Sequence, residues 1–235
     1  MATVYVPAGG ARLAGELMTP ADARGLVLFA HGSGSSRFSS RNQFVARVLE
    51  QRGLATLLID LLTPEEERLD ERTAHLRFDI PMLADRLVAI IDWLRQQPAV
   101  SEAKGKDLRD FPVGMFGAST GGGAALRAAA ARPDDVFAIV SRGGRPDLAG
   151  AALREVIAPT LLIVGGDDIP VIAMNRDAMA RMHAEVSLEI IPGATHLFEE
   201  PGALERVAVL AAGWFEQHLR SESPSTADTS RHHRA

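Results

Sequence analysis

The sequence predicts an α/β domain: a doubly wound, mostly parallel sheet with helices on both faces. Three observations carry this reading. Apolar runs of strand length alternate along the chain with stretches of helical hydrophobic period. The runs at 25–30, 54–59, 113–116, 136–140 and 160–164 are apolar at nearly every position, as strands covered on both faces must be. Polar, glycine-flanked residues stand at several strand ends, where ligands bind in such sheets.

At 235 residues, 46% hydrophobic and 23% charged, the chain suits one large domain over residues 1–220. Residues 221–235 are polar and aperiodic and read as a disordered tail. The formal charge of -5 offers no electrostatic footprint for nucleic acid or an acidic membrane. Residues 1–10 lack the basic and apolar regions of a secretion signal, and no apolar run approaches a membrane span, so the expected location is cytoplasmic. Without cysteine there is no disulfide, thiolate metal site or thiol nucleophile, and neither metal nor cofactor is expected. The oligomeric state is not legible.

In chain order, residues 3–7 and 12–18 around Gly9-Gly10 predict an antiparallel hairpin at a sheet edge. The strand at 25–30 (GLVLFA) ends in His31-Gly32-Ser33-Gly34-Ser35-Ser36-Arg37. A helix over 41–52 places Phe44, Val45, Val48 and Leu49 on one face and stops at Gly53. The strand at 54–59 closes on Asp60. Thr63-Pro64-Glu65-Glu66 has the form of a capping box with proline at the first helical position, so the acidic run 65–67 reads as a solvated short helix. A longer helix starts at Pro81 with Leu83, Leu87, Ile90, Ile91 and Leu94 in one stripe, and 101–110 is a charged loop. Beyond the middle of the chain, 147–157 reads as helical, 174–183 as a helix, 186–191 as a strand and 204–219 as the last helix.

The segment 112–132, PVGMFGASTGGGAALRAAAAR, carries the chemistry. A buried strand, a sharp turn Gly117-Ala118-Ser119-Thr120-Gly121 and an alanine-rich helix are the context a G-x-S-x-G nucleophile elbow requires. Ser119 must take a strained conformation to project its hydroxyl, and side chains at positions 117 and 121 would strike the neighbouring strand and helix. A serine hydroxyl needs a positioned base, and the base needs an acid to hold its tautomer. Asp168 ends the strand at 160–164 and His196 lies in the last loop before the terminal helix. The order Ser119, Asp168, His196 is that of the α/β-hydrolases and differs from those of chymotrypsin and subtilisin.

Over residues 25–219 the sequence resembles the α/β-hydrolase superfamily, and more narrowly the dienelactone hydrolase family. FAHGSGSSR (29–37), GASTGGG (117–123), LLIVGGDD (161–168) and PGATHLFEEPG (192–202) carry the likeness. It implies Ser119 as nucleophile, His196 as general base and then acid, and Asp168 as the orienting acid. It also implies an oxyanion hole made by the N–H groups of Ser33 and Thr120. The family's acid lies three residues after the glycine ending its strand, which favours Asp168 over Asp167. Dienelactone hydrolase itself uses cysteine in the elbow; serine here favours ordinary ester chemistry on a small-molecule acyl substrate.

His31, Arg37 and Arg142 are candidate substrate contacts. His31 also reads as an anchor of the oxyanion loop, and Arg37, Arg142 and Arg145 as loop-ordering ion pairs, while an arginine at 142 could clamp a substrate carboxylate. One strand and one helix fill the interval from the elbow to the strand at 160–164, so a large lid has no room and the site should be open. Three rivals share the chain. A dinucleotide-binding reading uses Gly32, Gly34 and Asp60 but meets Arg37 where the third glycine should be. A binding module without turnover, and an acyltransferase or perhydrolase, would keep the same constellation.

Overall fold

The computed structural model describes residues 1–96 and 107–221. Most of the charged loop expected at 101–110 and all but the first residue of the tail expected at 221–235 lie outside them. The eight strands are β1 (Ala2–Ala8), β2 (Ala11–Met18), β3 (Leu26–Ala30), β4 (Ala55–Ile59), β5 (Val113–Ala118), β6 (Val136–Arg142), β7 (Thr160–Gly165) and β8 (Val186–Ile191). They form one sheet in the order β1-β2-β4-β3-β5-β6-β7-β8. The hairpin β1–β2 and its pairing to β4 are antiparallel, and every other pair is parallel.

The helices are α1 (Ser40–Gln51), α2 (Pro64–Thr73), α3 (Ile80–Gln96), α4 (Thr120–Ala131), α5 (Ile169–Met179) and α6 (Ala203–Ser221). Side chains alternate across each strand. Leu26, Leu28 and Ala30 of β3 therefore pack on α3 and α4, while Val27 and Phe29 pack on the opposite face with α1 and α6. Phe29 and Phe116 stack at 4.9 Å between ring centroids, and Phe215 of α6 meets Phe137 edge-on at 5.9 Å. A sheet covered on both faces explains the unbroken apolar runs.

Two expectations are corrected. The segment predicted as a helix at 147–157 is 3-10 in character (Pro146–Glu155) and is broken at Gly150, whose φ of 61° no right-handed helix contains. The helix expected at 174–183 begins at Ile169, because Pro170 fits the first turn, where a missing N–H costs nothing. The capping box at Thr63 and Glu66 forms as read. Glu66, however, is not simply solvated. It binds Arg86 of α3 at 2.5 and 2.8 Å, and Arg86 also donates to the Leu61 carbonyl. This pair fastens α2 to the end of β4.

Among the described residues no helix is long and apolar enough to cross a membrane.

Candidate active site

The elbow forms between β5 and α4. Ser119 has φ 50° and ψ -121°, a conformation L residues avoid, and its side chain caps nothing in its own helix. The crowding expected on either side is real. A Cβ on Gly117 would stand 2.6 Å from the Gly122 Cα, and one on Gly121 would stand 2.6 Å from the His31 carbonyl oxygen. Backbone bonds fix the turn: the Ser119 N–H donates to the Arg142 carbonyl, and its own carbonyl accepts from Gly122 and Arg145. The hydroxyl is thus presented at the partly exposed N-terminal end of α4.

The loops after β7 and β8 are laced together. The Gly166 N–H donates to the Ile191 carbonyl and the Asp167 N–H to the Ala194 carbonyl. Asp168 occupies the N-cap position of α5, yet its side chain makes no cap bond. Instead its Oδ2 meets His196 Nδ1 at 2.6 Å. Asp168 and Ser119 therefore share a device: both sit at helix N-caps whose side-chain oxygens are not spent on capping. Asp167 is exposed, and it is Asp168 whose carboxylate reaches His196.

The backbone around His196 packs on the residue after Arg142: a Cβ on Gly143 would lie 3.2 Å from the His196 carbonyl oxygen and 3.5 Å from its Cε1. The structure thus brings Asp168 and His196 into hydrogen bond and sets them beside the elbow. It does not close His196 onto the Ser119 hydroxyl; among the described residues no hydrogen bond joins the two. Such contacts are often loose before substrate arrives.

Thr120 and Ser33, the expected oxyanion donors, are in contact, but the Ser33 N–H points at the Thr120 Oγ1 at 2.9 Å. One of the two expected donors is therefore engaged by a hydroxyl in this state. Thr120 is the first residue of α4, where the N–H has no acceptor within the helix. The Gly32-Ser33-Gly34 turn lies against this elbow and α1 begins only at Ser40, so it does not open a helix in the manner of a dinucleotide fingerprint.

A cavity of about 270 Å³ adjoins Thr120. The loop His31–Ser36 with Leu61 and Leu62 forms one wall; Glu67, Asp70 and Glu71 of α2 with Arg77 form the other. Asp70 is held by Arg77 and by the Leu76 N–H. Burial, with the charges of Asp60 and Glu71 nearby, pushes the Glu67 carboxyl above its ordinary value. This acidic wall comes from the interval between β4 and α3, not from the interval after the elbow.

Two of the three candidate substrate contacts are corrected. His31 is buried and both ring nitrogens are committed: Nδ1 lies 2.9 Å from the Gly32 carbonyl, and Nε2 accepts from the Leu61 N–H at 2.9 Å. With Nε2 accepting, the proton sits on Nδ1, and burial lowers the pKa of the ring. It braces the loop and has no nitrogen left for substrate. Arg37 turns to Asp60 and Glu16, the ion pair that orders its loop. Arg145 likewise pairs with Asp147 through two bonds of 2.8 and 2.9 Å. Among the described residues Arg142 finds no such acid.

Two residues escaped the sequence reading. Asn175, fully buried in α5, donates to the Gly144 carbonyl and steadies the turn after β6. Phe198, with φ 56° and a buried ring, pins the loop carrying His196. A lone asparagine or phenylalanine gives no pattern by which either could have been found.

The profile of the dienelactone hydrolase family matches residues 13–218. A crystal structure of dienelactone hydrolase from Anabaena variabilis is 61% identical, with a TM-score of 0.88, covering 93% of this chain and 98% of that one. Est1E from Butyrivibrio proteoclasticus shares the fold at 18% identity and a TM-score of 0.73, covering 94% of this chain and 99% of that one. Two curated relatives from Mycobacterium tuberculosis, each named "Putative phosphoribosyl transferase", are 55% identical over 222 residues. That match takes in 94% of this chain and 47% of theirs, so the chain spans about half the length of the curated relatives it matches.

Proposed function

The chain belongs to the dienelactone hydrolase family, and from that premise we propose that it is a serine hydrolase cleaving small carboxylic esters, lactones or thioesters. One observation carries the reading: the 2.6 Å bond between Asp168 and His196 stands beside a strained, partly exposed Ser119. With Nδ1–H held by the carboxylate, Nε2 is left as the base. It takes the Ser119 proton as Oγ attacks the substrate carbonyl carbon. The tetrahedral oxyanion is met by the Thr120 N–H and by the Ser33 N–H, which exchanges the Thr120 hydroxyl for the substrate oxygen. His196 returns its proton to the departing alkoxide or thiolate, leaving an acyl-Ser119 ester. Water, deprotonated by the same imidazole, then releases the acid and restores the hydroxyl.

The name borne by the curated relatives belongs to proteins about twice as long, whose matched part is this domain. In this chain the elbow and the Asp168–His196 pair favour acyl chemistry. An acyltransferase would run the same first half and differ in the acceptor that enters.

The decisive experiment is hydrolysis of a chain-length series of activated esters, lactones and thioesters, with organophosphonate labelling in parallel. Turnover and stoichiometric labelling, both lost in Ser119→Ala, are expected. A chain that neither turns over nor labels would refute the hydrolase reading.

A further inference from the structure

Arg142 ends β6 next to the elbow, and its side chain lies between Asn42 of α1 and Phe198 of the loop that carries His196. It is only 8% exposed. An arginine so deeply buried is ordinarily matched by a carboxylate. Here Nη2 has one long bond, 3.5 Å to the Asn42 Oδ1, and the Phe198 ring centre is 5.9 Å from Cζ. Among the described residues Nε and Nη1 are buried without a hydrogen-bond partner. Arg41, one residue before Asn42, has its Nε in the same condition. Its Nη1 reaches Glu199 at 3.2 Å, a side chain 66% exposed at the periphery. Burial, with the like charge of Arg41 alongside, lowers the Arg142 pKa to about 10, which still leaves it cationic at neutral pH. Among the described residues, two cations with three unpaired donor nitrogens thus meet one outlying carboxylate.

We propose that Arg142 and Arg41 form an oxoanion site between α1 and the His196-bearing loop, which takes a carboxylate or phosphate group. The guanidinium fork matches two oxygens of either group, and both supply the acceptors and negative charge that the protein withholds here. The site lies on the α1 side of the elbow, whereas the cavity beside Thr120 is walled by the acidic residues of α2. Its existence rests on packing alone and does not depend on the hydrolase reading. The anion has two sources: a group borne by the substrate, or a free ion held under the loop.

The test follows thermal unfolding of the whole chain in sodium phosphate and in sodium acetate, against sodium chloride at matched ionic strength. A saturable rise in Tm with the oxoanions and not with chloride is expected, lost in Arg142→Met, which keeps the length of the stem. Arg41→Gln, at a partly exposed position, gives a second reading if the buried substitution fails to fold, and should weaken the same response. Kinetics separate the sources. If the anion belongs to the substrate, Arg142→Met lowers kcat/KM for hemiester monoanions by at least about tenfold relative to neutral esters of equal size. If it is a free ion, phosphate alters wild-type turnover of neutral esters and leaves that of the variant unchanged. No oxoanion-specific shift in the wild-type chain, or an undiminished shift in the variants, overturns the site.

Discussion

The backbone N–H of Ser33 donates to the Thr120 hydroxyl at 2.9 Å, joining the loop after β3 to the first residue of α4. The bond holds the two proposed oxyanion donors together while occupying one of them. Thr120→Val leaves the Ser33 loop unanchored and should lower kcat about tenfold, roughly 1.4 kcal/mol of barrier, with a smaller effect on KM. Thr120→Ser should stay near wild type. Steady-state kinetics on a neutral ester decide this; wild-type kcat in the valine variant would remove the hydroxyl from the account.

Asp168 and Asp167 are adjacent, but only the former touches His196. Asp168→Asn should cut kcat by ~10³-fold or more by favouring the wrong tautomer of the base. Asp167→Asn should change it less than about threefold, since an exposed side chain without a partner in the relay is usually near neutral. Equal losses in the two variants would mean that the loop, not the relay, is being read.

His31 makes stability depend on acidity. Its folded pKa lies below the ordinary 6.5, so the unfolded chain binds the extra proton first as pH falls. The contribution is complete above that value and is lost as pH drops from 6.5 toward the lower folded pKa. Urea unfolding between neutral pH and pH 5 should show declining stability with a shallower slope in His31→Ala. That variant should also lose about 1–3 kcal/mol at neutral pH, because the Leu61 N–H is left unpaired. An identical slope in both chains would rule out His31 as its source.

Glu66 holds Arg86, which is 5% exposed, and closes the cap of α2 with Thr63. Glu66→Gln leaves a buried guanidinium short of its counter-charge and should cost about 1–3 kcal/mol, less than a fully buried pair because Glu66 is partly solvated. As α2 walls the cavity, KM should rise more than kcat falls. Unfolding curves and kinetics on one ester series check both; a stability loss without a change in KM would separate α2 from substrate binding.

The elbow was legible because its geometry admits so few residues: the backbone stands where a side chain would be at positions 117 and 121, and the local pattern records that. The strand at 186–191 coincides with β8, and the hairpin with β1–β2, since period and turn glycines are local signals. What the sequence hid depends on distant partners. The 3-10 character of Pro146–Glu155 follows from Gly150 taking a left-handed conformation, which the amphipathic spacing does not reveal. The role of α2 as a cavity wall depends on Arg86 lying 20 positions downstream of Glu66. For arginine 37 the choice between clamp and ion pair turned on whether Asp60 came within reach. Spacing along the chain carries no trace of that.

Phe198 gives the base loop an unusual economy. A bulky residue in a left-handed corner is tolerated because its ring is wedged into the interior, so the attitude of the imidazole two positions earlier is inherited from an aromatic plug. Alanine there would withdraw the plug and keep the awkward corner; glycine would withdraw both. The atoms of the proposed relay would be untouched in either variant, and any activity lost would measure how much of their alignment is stored in the hydrophobic interior.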